Sequence, residues 1–484
     1  MINKLTRNIA ALLITAIVLT AVLFHYPITI TDALTLETLP EFGIHIPVWR
    51  IIFEPFLGIL LFMNQALHAI PEFLHFGLWI LAGFIVFSMV LSFMIRDNQL
   101  RTRFIISQTV NLPVVIGLLF AFFVVMIFIP LPNNTIVNNA RNTILVSTHS
   151  HTEYSHDGLI TQEGSWKWHK RNGFDAYYIT EHNNHSKTLE FVQAQRNKQF
   201  PGEPLVLCGE EFSGSNHLSL LGLKRDFKTR GFSDSLAVQY TRADSGAVIA
   251  NHWFDGERNS LEFYKNLGID GFEIENTATD KRYDRKVYQE IKDFCVSNNL
   301  IMNGGLDFHG YGSACSLWNA FEIPGWKNLD LQAKEEAILK IIKTRDQSKL
   351  KVLLYNDRPF YSRQELVFRP FITIFNYFRT LNFLQVLSWI GWILLFALIS
   401  NRVSKKEKLA RQLACQKMLP VAGLFAALFL LGLGLVYFNR IQPVENFTEM
   451  YLEYSTLLFR TGSVLLFYSG ALSWIRIFRH KGLM

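Results

Sequence analysis

Five apolar, uncharged runs in this chain are long enough to cross the hydrocarbon core of a bilayer, which takes about 20 helical residues. They lie at residues 9–26, 73–95, 112–132, 383–400 and 419–438. A sixth and shorter run, 461–475, is bracketed by Arg460 and Arg476. The segment 49–66 contains Arg50, Glu54 and Pro55, so it reads as an interfacial or re-entrant helix and not as a span. Between the two apolar groups, residues 140–365 hold no spanning run, which leaves room for one soluble α/β unit with its own core. The chain thus reads as an N-terminal membrane region (1–139), a soluble domain (140–365) and a C-terminal membrane region (366–484).

Basic residues concentrate in cytoplasmic loops, which gives the orientation. Lys4, Arg7, Arg96, Arg101 and Arg103 mark one side, as do Arg402, Lys405, Lys406, Lys408, Arg411 and Lys417. Asp32, Glu37, Glu41, Glu445, Glu449 and Glu453 mark the other. Both halves place the soluble domain outside the cytoplasm. The net charge of +7 is then a product of topology, and no nucleic-acid partner is expected from it. The first apolar run lacks a small-residue cleavage site and reads as an uncleaved anchor. Four widely spaced cysteines form neither a zinc finger nor a disulfide framework.

In the soluble part the strand candidates are "TILVST", "DAYYIT", "PLVLCGEEF", "NHLSLLGL", "GAVIAN", "IDGFEIE", "LIMNGGLDF" and "KVLLY", mostly separated by helical patterns such as 279–298. This alternation predicts a mainly parallel sheet or barrel. His149, His151, His182, Glu211, His252, Asp307 and His309 all fall at or just past the carboxyl ends of these strands, the face on which β/α barrels build their sites. Residues i and i+2 of a strand point the same way, so His149 and His151 can grip one ion. Imidazoles mixed with carboxylates suit Zn, Mn or Fe better than Mg or Ca.

The ordered blocks "HSHTEYSHDG", "YITEHNNH", "GEEFS", "NHLSLLGL", "VIANH" and "GGLDFHG" resemble the PHP (polymerase and histidinol phosphatase) family of metal-dependent phosphoesterases. The resemblance implies a distorted seven-stranded β/α barrel with up to three metal ions in a cleft at the strand ends. It implies His149, His151, Glu211 and Asp307 around a first ion, and Glu211 bridging to a second held by His217 and His252. His156, His182 and His309 would form a third site. In "SHDG" either His156 or Asp157 supplies the ligand, and the reading favours His156. Glu181 stands where the family has an aspartate, which leaves its role open.

His149, His151, Glu211, Asp307 and His309 are thus the expected catalytic set. Clustered ions bring a shared water near neutrality and supply hydroxide for in-line attack on phosphorus. Arg258, just after His252, is the candidate for holding a substrate phosphate. His185 reads as a loop residue and His169, in "WKWHKR", as surface. Glu273 or Glu275 could face the barrel mouth, whereas Glu210 points away from Glu211. The expected function is a membrane-anchored phosphoesterase with two or three divalent ions, acting on a phosphate ester that membrane location suggests is lipid-linked or surface-confined. The alternative is a metal-binding sensory module signalling through its membrane helices.

Overall fold

The computed structural model describes residues 4–65, 69–129, 131, 133–254, 259–277, 285–311, 314–359, 367–401 and 405–480. The N-terminal part runs α1 (Lys4–Leu23), β1 (Thr29–Asp32), β2 (Phe42–His45), α2 (Val48–Ile52), α3 (Glu54–Asn64), α4 (Ala69–Met94), α5 (Asn98–Phe128) and β3 (Thr135–Asn138). The central part runs β4 (Thr143–Ser147), α6 (Gln162–Arg171), β5 (Ala176–His182), α7 (Ser186–Arg196), β6 (Leu205–Ser213), β7 (His217–Leu221), α8 (Asp234–Ala243) and β8 (Ala247–Ala250). It continues with α9 (Leu261–Leu267), β9 (Gly271–Asn276), α10 (Arg285–Ser297), β10 (Ile301–Gly305), β11 (Leu317–Glu322), α11 (Leu331–Thr344) and β12 (Leu350–Asn356). Helices α12 (Arg369–Arg379), α13 (Phe383–Asn401), α14 (Lys405–Phe438) and α15 (Met450–His480) complete the chain.

The strands form one sheet in the order β1-β12-β11-β4-β5-β6-β7-β8-β9-β10. Pairing is parallel for β4–β5, β5–β6, β8–β9 and β9–β10, and antiparallel on both sides of β7. The sheet curls until the segments following β4 and β10 meet in a parallel bridge, Ser150 to Phe308. His151 N donates to Phe308 O at 2.8 Å and Asp307 N to His149 O at 2.9 Å. Strands β4 to β10 therefore make a distorted α/β barrel, with β11, β12 and β1 continuing the sheet from β4. The described helices flank it on the N- and C-terminal sides of the sequence. All eight expected strands are present; β11 was not foreseen, and β1 comes from outside residues 140–365.

Alternation within each strand separates two apolar layers. Val146, Tyr178, Leu207 and Ile249 pack with Ile338, Leu339 and Ile342 of α11. Ile144, Ala176, Leu205 and Ala247 of the same cluster open their strands, so α11 closes the barrel at the strand starts. The opposite parity, including Tyr177, Val206, Leu220 and Val248, packs against the outer helices through Val192, Ala237, Tyr264 and Ile291. Each fully buried side chain of this size contributes about 1.5–3 kcal/mol. The helices begin where hydroxyl and carboxylate side chains cap them: Thr161 accepts from Gly164 N, Ser233 from Leu236 N and Asp330 from Ala333 N.

Among the described residues, four helices are long and apolar enough to cross a membrane: Thr6–Leu23, Ile70–Met94, Asn98–Phe128 and Met418–Phe438. The pair Arg369–Arg379 and Phe383–Ile399, bent by 110°, passes the same test only as a unit. The expected run 461–475 lies within α15, which is long but not among these apolar helices. Segment 49–66 forms the short helices α2 and α3 over its described part.

Candidate metal centre

Interior-facing parity carries β5 and β6 up to His182 and Glu211, so both reach the barrel mouth on the same side as the interior core. The segment after β4 delivers His149 and His151, and the segment after β10 delivers Asp307 and His309. His149, His151 and Glu211 are almost wholly buried. Four ligand atoms converge there. His149 Nε2 lies 3.1 Å from His151 Nε2, 3.2 Å from Glu211 Oε2 and 3.3 Å from Asp307 Oδ1. His151 Nε2 lies 3.1 Å from Glu211 Oε2 and 3.2 Å from Asp307 Oδ1.

Tetrahedral ligands of an ion at 2.0–2.2 Å stand about 3.3–3.6 Å apart. The spacings here are those of a coordination shell, slightly contracted. Two ring nitrogens face each other, and Asp307 Oδ1 is buried without a well-aligned hydrogen bond. The residues present therefore fit a divalent cation.

Glu211 divides its two oxygens. Oε2 faces His149 and His151, with His182 Nδ1 at 3.4 Å, while Oε1 lies 3.0 Å from His217 Nδ1 and 3.1 Å from His252 Nε2. A third group joins His151, Asp157, His182 and His309. There Asp157 Oδ2 is 2.9 Å from His309 Nε2 and 3.3 Å from His182 Nε2.

His156 is not the inward residue of "SHDG". Its side chain is 72 % exposed, with Nδ1 3.8 Å from Asp157 Oδ1. The cause is a tight loop in which Gly158 packs on Thr152 O, where an added Cβ would fall 1.8 Å away. The backbone turns through Ser155 N to Thr152 O at 3.0 Å and Gly158 N to Ser155 O at 3.1 Å. Asp157 is thereby directed into the cleft.

Burial alone would lower the His149 pKa, but the charges of Glu211, Asp307 and Glu273 hold it well above the ordinary imidazole value. His151 is pushed up to about 10 against burial by Asp307 and Glu211, and His252 to about 9 by Glu211. Burial opposes the ionisation of Glu211, Asp307 and Asp157, yet the neighbouring imidazoles hold all three below the usual carboxylate range. Protons thus take the part that a cation would play in this concentration of buried charge.

Glu273 is the residue that sequence reasoning underweighted. Its Oε1 lies 2.8 Å from His149 Nδ1, and its Oε2 accepts from His252 N at 3.0 Å. It does not join the ligand clusters but fixes the His149 imidazole and the backbone of His252 that face them. Glu181 acts on the loop, accepting from Thr152 N at 3.0 Å and from the Thr152 hydroxyl. Glu210 points away from the cleft to His185 Nδ1 and Thr229 Oγ1, and His185 is buried on that pair. His169 is buried and not on the surface. It stacks on Tyr177 at 3.9 Å, and burial pushes it down to about 3. Arg258 falls outside the described residues.

Residues 147–266 match the PHP domain family. The chain carries a PHP domain. Comparison with curated proteins gives no match. Among solved structures, PsfC from Pseudomonas syringae is 15% identical over 48% of this chain and 97% of its own, with a TM-score of 0.32. A protein of Bifidobacterium adolescentis, provisionally named a metal-dependent phosphoesterase, is 15% identical over 34% of this chain and 88% of its own, TM-score 0.28. An amidohydrolase from Chromobacterium violaceum with bound sulfate is 13% identical over 39% of this chain and 96% of its own, TM-score 0.29. Likeness at these scores carries no weight beside the cleft itself. The PHP match and the His, Asp and Glu clusters together support a metal-dependent hydrolase.

Proposed function

We propose that this PHP domain is a membrane-anchored, extracytoplasmic phosphoesterase whose catalytic set is His149, His151, Glu211, Asp307 and His309. The observation that carries the reading is the convergence of four ligand atoms at 3.1–3.3 Å, with Glu211 turned to a second group of imidazoles. His149, His151, Glu211 and Asp307 would hold one ion, Glu211, His217 and His252 a second, and Asp157, His182 and His309 a third. Bound Zn, Mn or Fe would supply Lewis acidity toward phosphoryl oxygens and ready ionisation of water.

The chain's own residues do the positioning. Glu273 orients His149, Glu211 holds two groups at fixed separation, and the closed barrel wall excludes bulk water from the buried histidines. Such pre-arranged charge serves a transferring phosphoryl group, whose reaction depends on positioning and charge neutralisation.

Anchoring is supported by the four or five apolar helices. α1 leads into β1 and α5 into β3, while the basic residues lie in the first turns of α1, between α4 and the start of α5, and ahead of the apolar stretch of α14. This connectivity and the positive-inside bias favour the extracytoplasmic side. A lipid-linked or surface-confined phosphate is the substrate class that such an anchor favours.

The test uses the full chain in detergent, stripped and reloaded with Zn, Mn or Fe(II), against phosphate mono- and diesters, both soluble and in phospholipid vesicles. Metal-dependent hydrolysis that disappears in His149→Ala is expected. Equal rates in the variant would remove the assignment, and equal turnover of soluble and vesicle-borne esters would remove the lipid preference.

A further inference from the structure

The loop between β4 and α6 presents His151 and Asp157 to the cleft on one side. Its other side is gripped by the connection between α14 and α15. Thr448 N donates to Glu153 O at 2.9 Å, and Thr448 Oγ1 donates to His156 O at 3.1 Å. At the second residue of α15, Tyr451 OH donates to Glu153 Oε2 at 3.3 Å. Phe447 meets Tyr154 edge-on at 5.8 Å.

Apolar packing repeats the pattern. Leu159, next to the loop glycine, is buried with Val124 of α5, Leu430 of α14 and Leu458 of α15. Tyr311, two residues beyond His309, packs on the same cluster, and Leu159 N donates to His309 O at 2.8 Å. Two of the three segments that carry the Asp157 group, those of Asp157 and His309, are thus seated on the helices, whereas His182, Glu211 and His217 stand on the sheet itself.

We propose that Thr448 and Tyr451 are positioning residues for the Asp157, His182 and His309 group, so that the α14–α15 hairpin sets the geometry of one ion position and leaves the other two to the barrel. Thr448 holds the backbone on both sides of Tyr154 and Ser155, through Glu153 O and His156 O. With its hydroxyl gone, the turn that directs Asp157 inward keeps only the backbone half of that clamp. This inference rests on the metal-dependent reading above.

The experiment takes the full chain in detergent as wild type, Thr448→Val with Tyr451→Phe, and Thr448→Ser, and titrates each with Mn(II) by electron paramagnetic resonance and elemental analysis. The double variant is expected to weaken one class of Mn(II) site by about tenfold or to empty it, as loss of an orienting partner does, with the tighter sites unchanged. Thr448→Ser keeps the hydroxyl and is expected to bind as wild type.

An unchanged double variant, or uniform loss from every class together with a lower Tm, overturns the positioning role alone. A wild type that binds no Mn(II), Zn or Fe(II) overturns both this inference and the phosphoesterase reading.

Discussion

Replacing Glu273 by Gln changes no volume and removes one negative charge beneath the cleft. The carboxylate has two fixed duties, Oε1 toward His149 Nδ1 at 2.8 Å and Oε2 toward His252 N at 3.0 Å and Asn276 Nδ2 at 3.1 Å. An amide has one oxygen, so whichever way it turns, one of these donors faces an NH2 group. A charge-assisted hydrogen bond is worth about 1.5–3 kcal/mol. Loss of a partner that orients a ligand costs about 10–100-fold in metal affinity, about 1.4–2.8 kcal/mol, and the two ranges agree.

Calorimetric titration of the stripped full chain should show the tightest ion weakened within that range, with unfolding of the metal-free protein shifted much less than that of the loaded one. Gly305→Ala reaches the same group independently, since its Cβ would fall 2.1 Å from Glu273 Oε1. Affinity and hydrolysis within twofold of wild type in Glu273→Gln would refute the orienting role.

Asp157→Asn should lose or weaken one metal equivalent, while His156→Ala should bind and hydrolyse as wild type; the reverse result in elemental analysis would restore the histidine as ligand. Metal uptake at pH 8 should release protons, because His151, held at about 10, and His252, held at about 9, must shed them. Calorimetry in buffers of different ionisation enthalpy reads that release, and affinity should fall as pH falls, about tenfold per unit for each proton displaced. His169, held at about 3 in the fold, takes up a proton only in the unfolded chain between its ordinary 6.5 and that value. Stability should therefore drop as pH falls through this window, and His169→Phe, which keeps the stack on Tyr177, should flatten the acid limb of Tm against pH.

The strand-end histidines were legible because strand parity is a sequence property: His149 and His151, two apart, and Glu211, opposite in parity to Glu210, could only face one way. His156 and Asp157 are neighbours in a loop, where a tertiary contact between Gly158 and Thr152 decides which side chain enters. Glu273 and Glu275 share one face of β9, so alternation could not separate them, and the choice fell to the position of His149. For His169 the signal was present and misread. Ser165, Trp168 and His169 are spaced i, i+3 and i+4, a buried helical face that the surrounding lysines and arginine obscured. The limited apolarity of α15 follows from its polar positions, Arg460 and Arg476 among them, while its inner side packs on α14.

Strand β1 pairs with β12, Thr29 opposite Asn356 and Asp32 opposite Leu353, across about two thirds of the chain. The strand at this edge of the sheet is thus synthesised long before its mate and must wait unpaired until β12 emerges, a long loop closure that slows assembly. Cutting the gene at residue 140 would bare the outer rim of β12 and invite intermolecular pairing there. Aggregation of such a fragment would report a missing neighbour, not a defective catalyst.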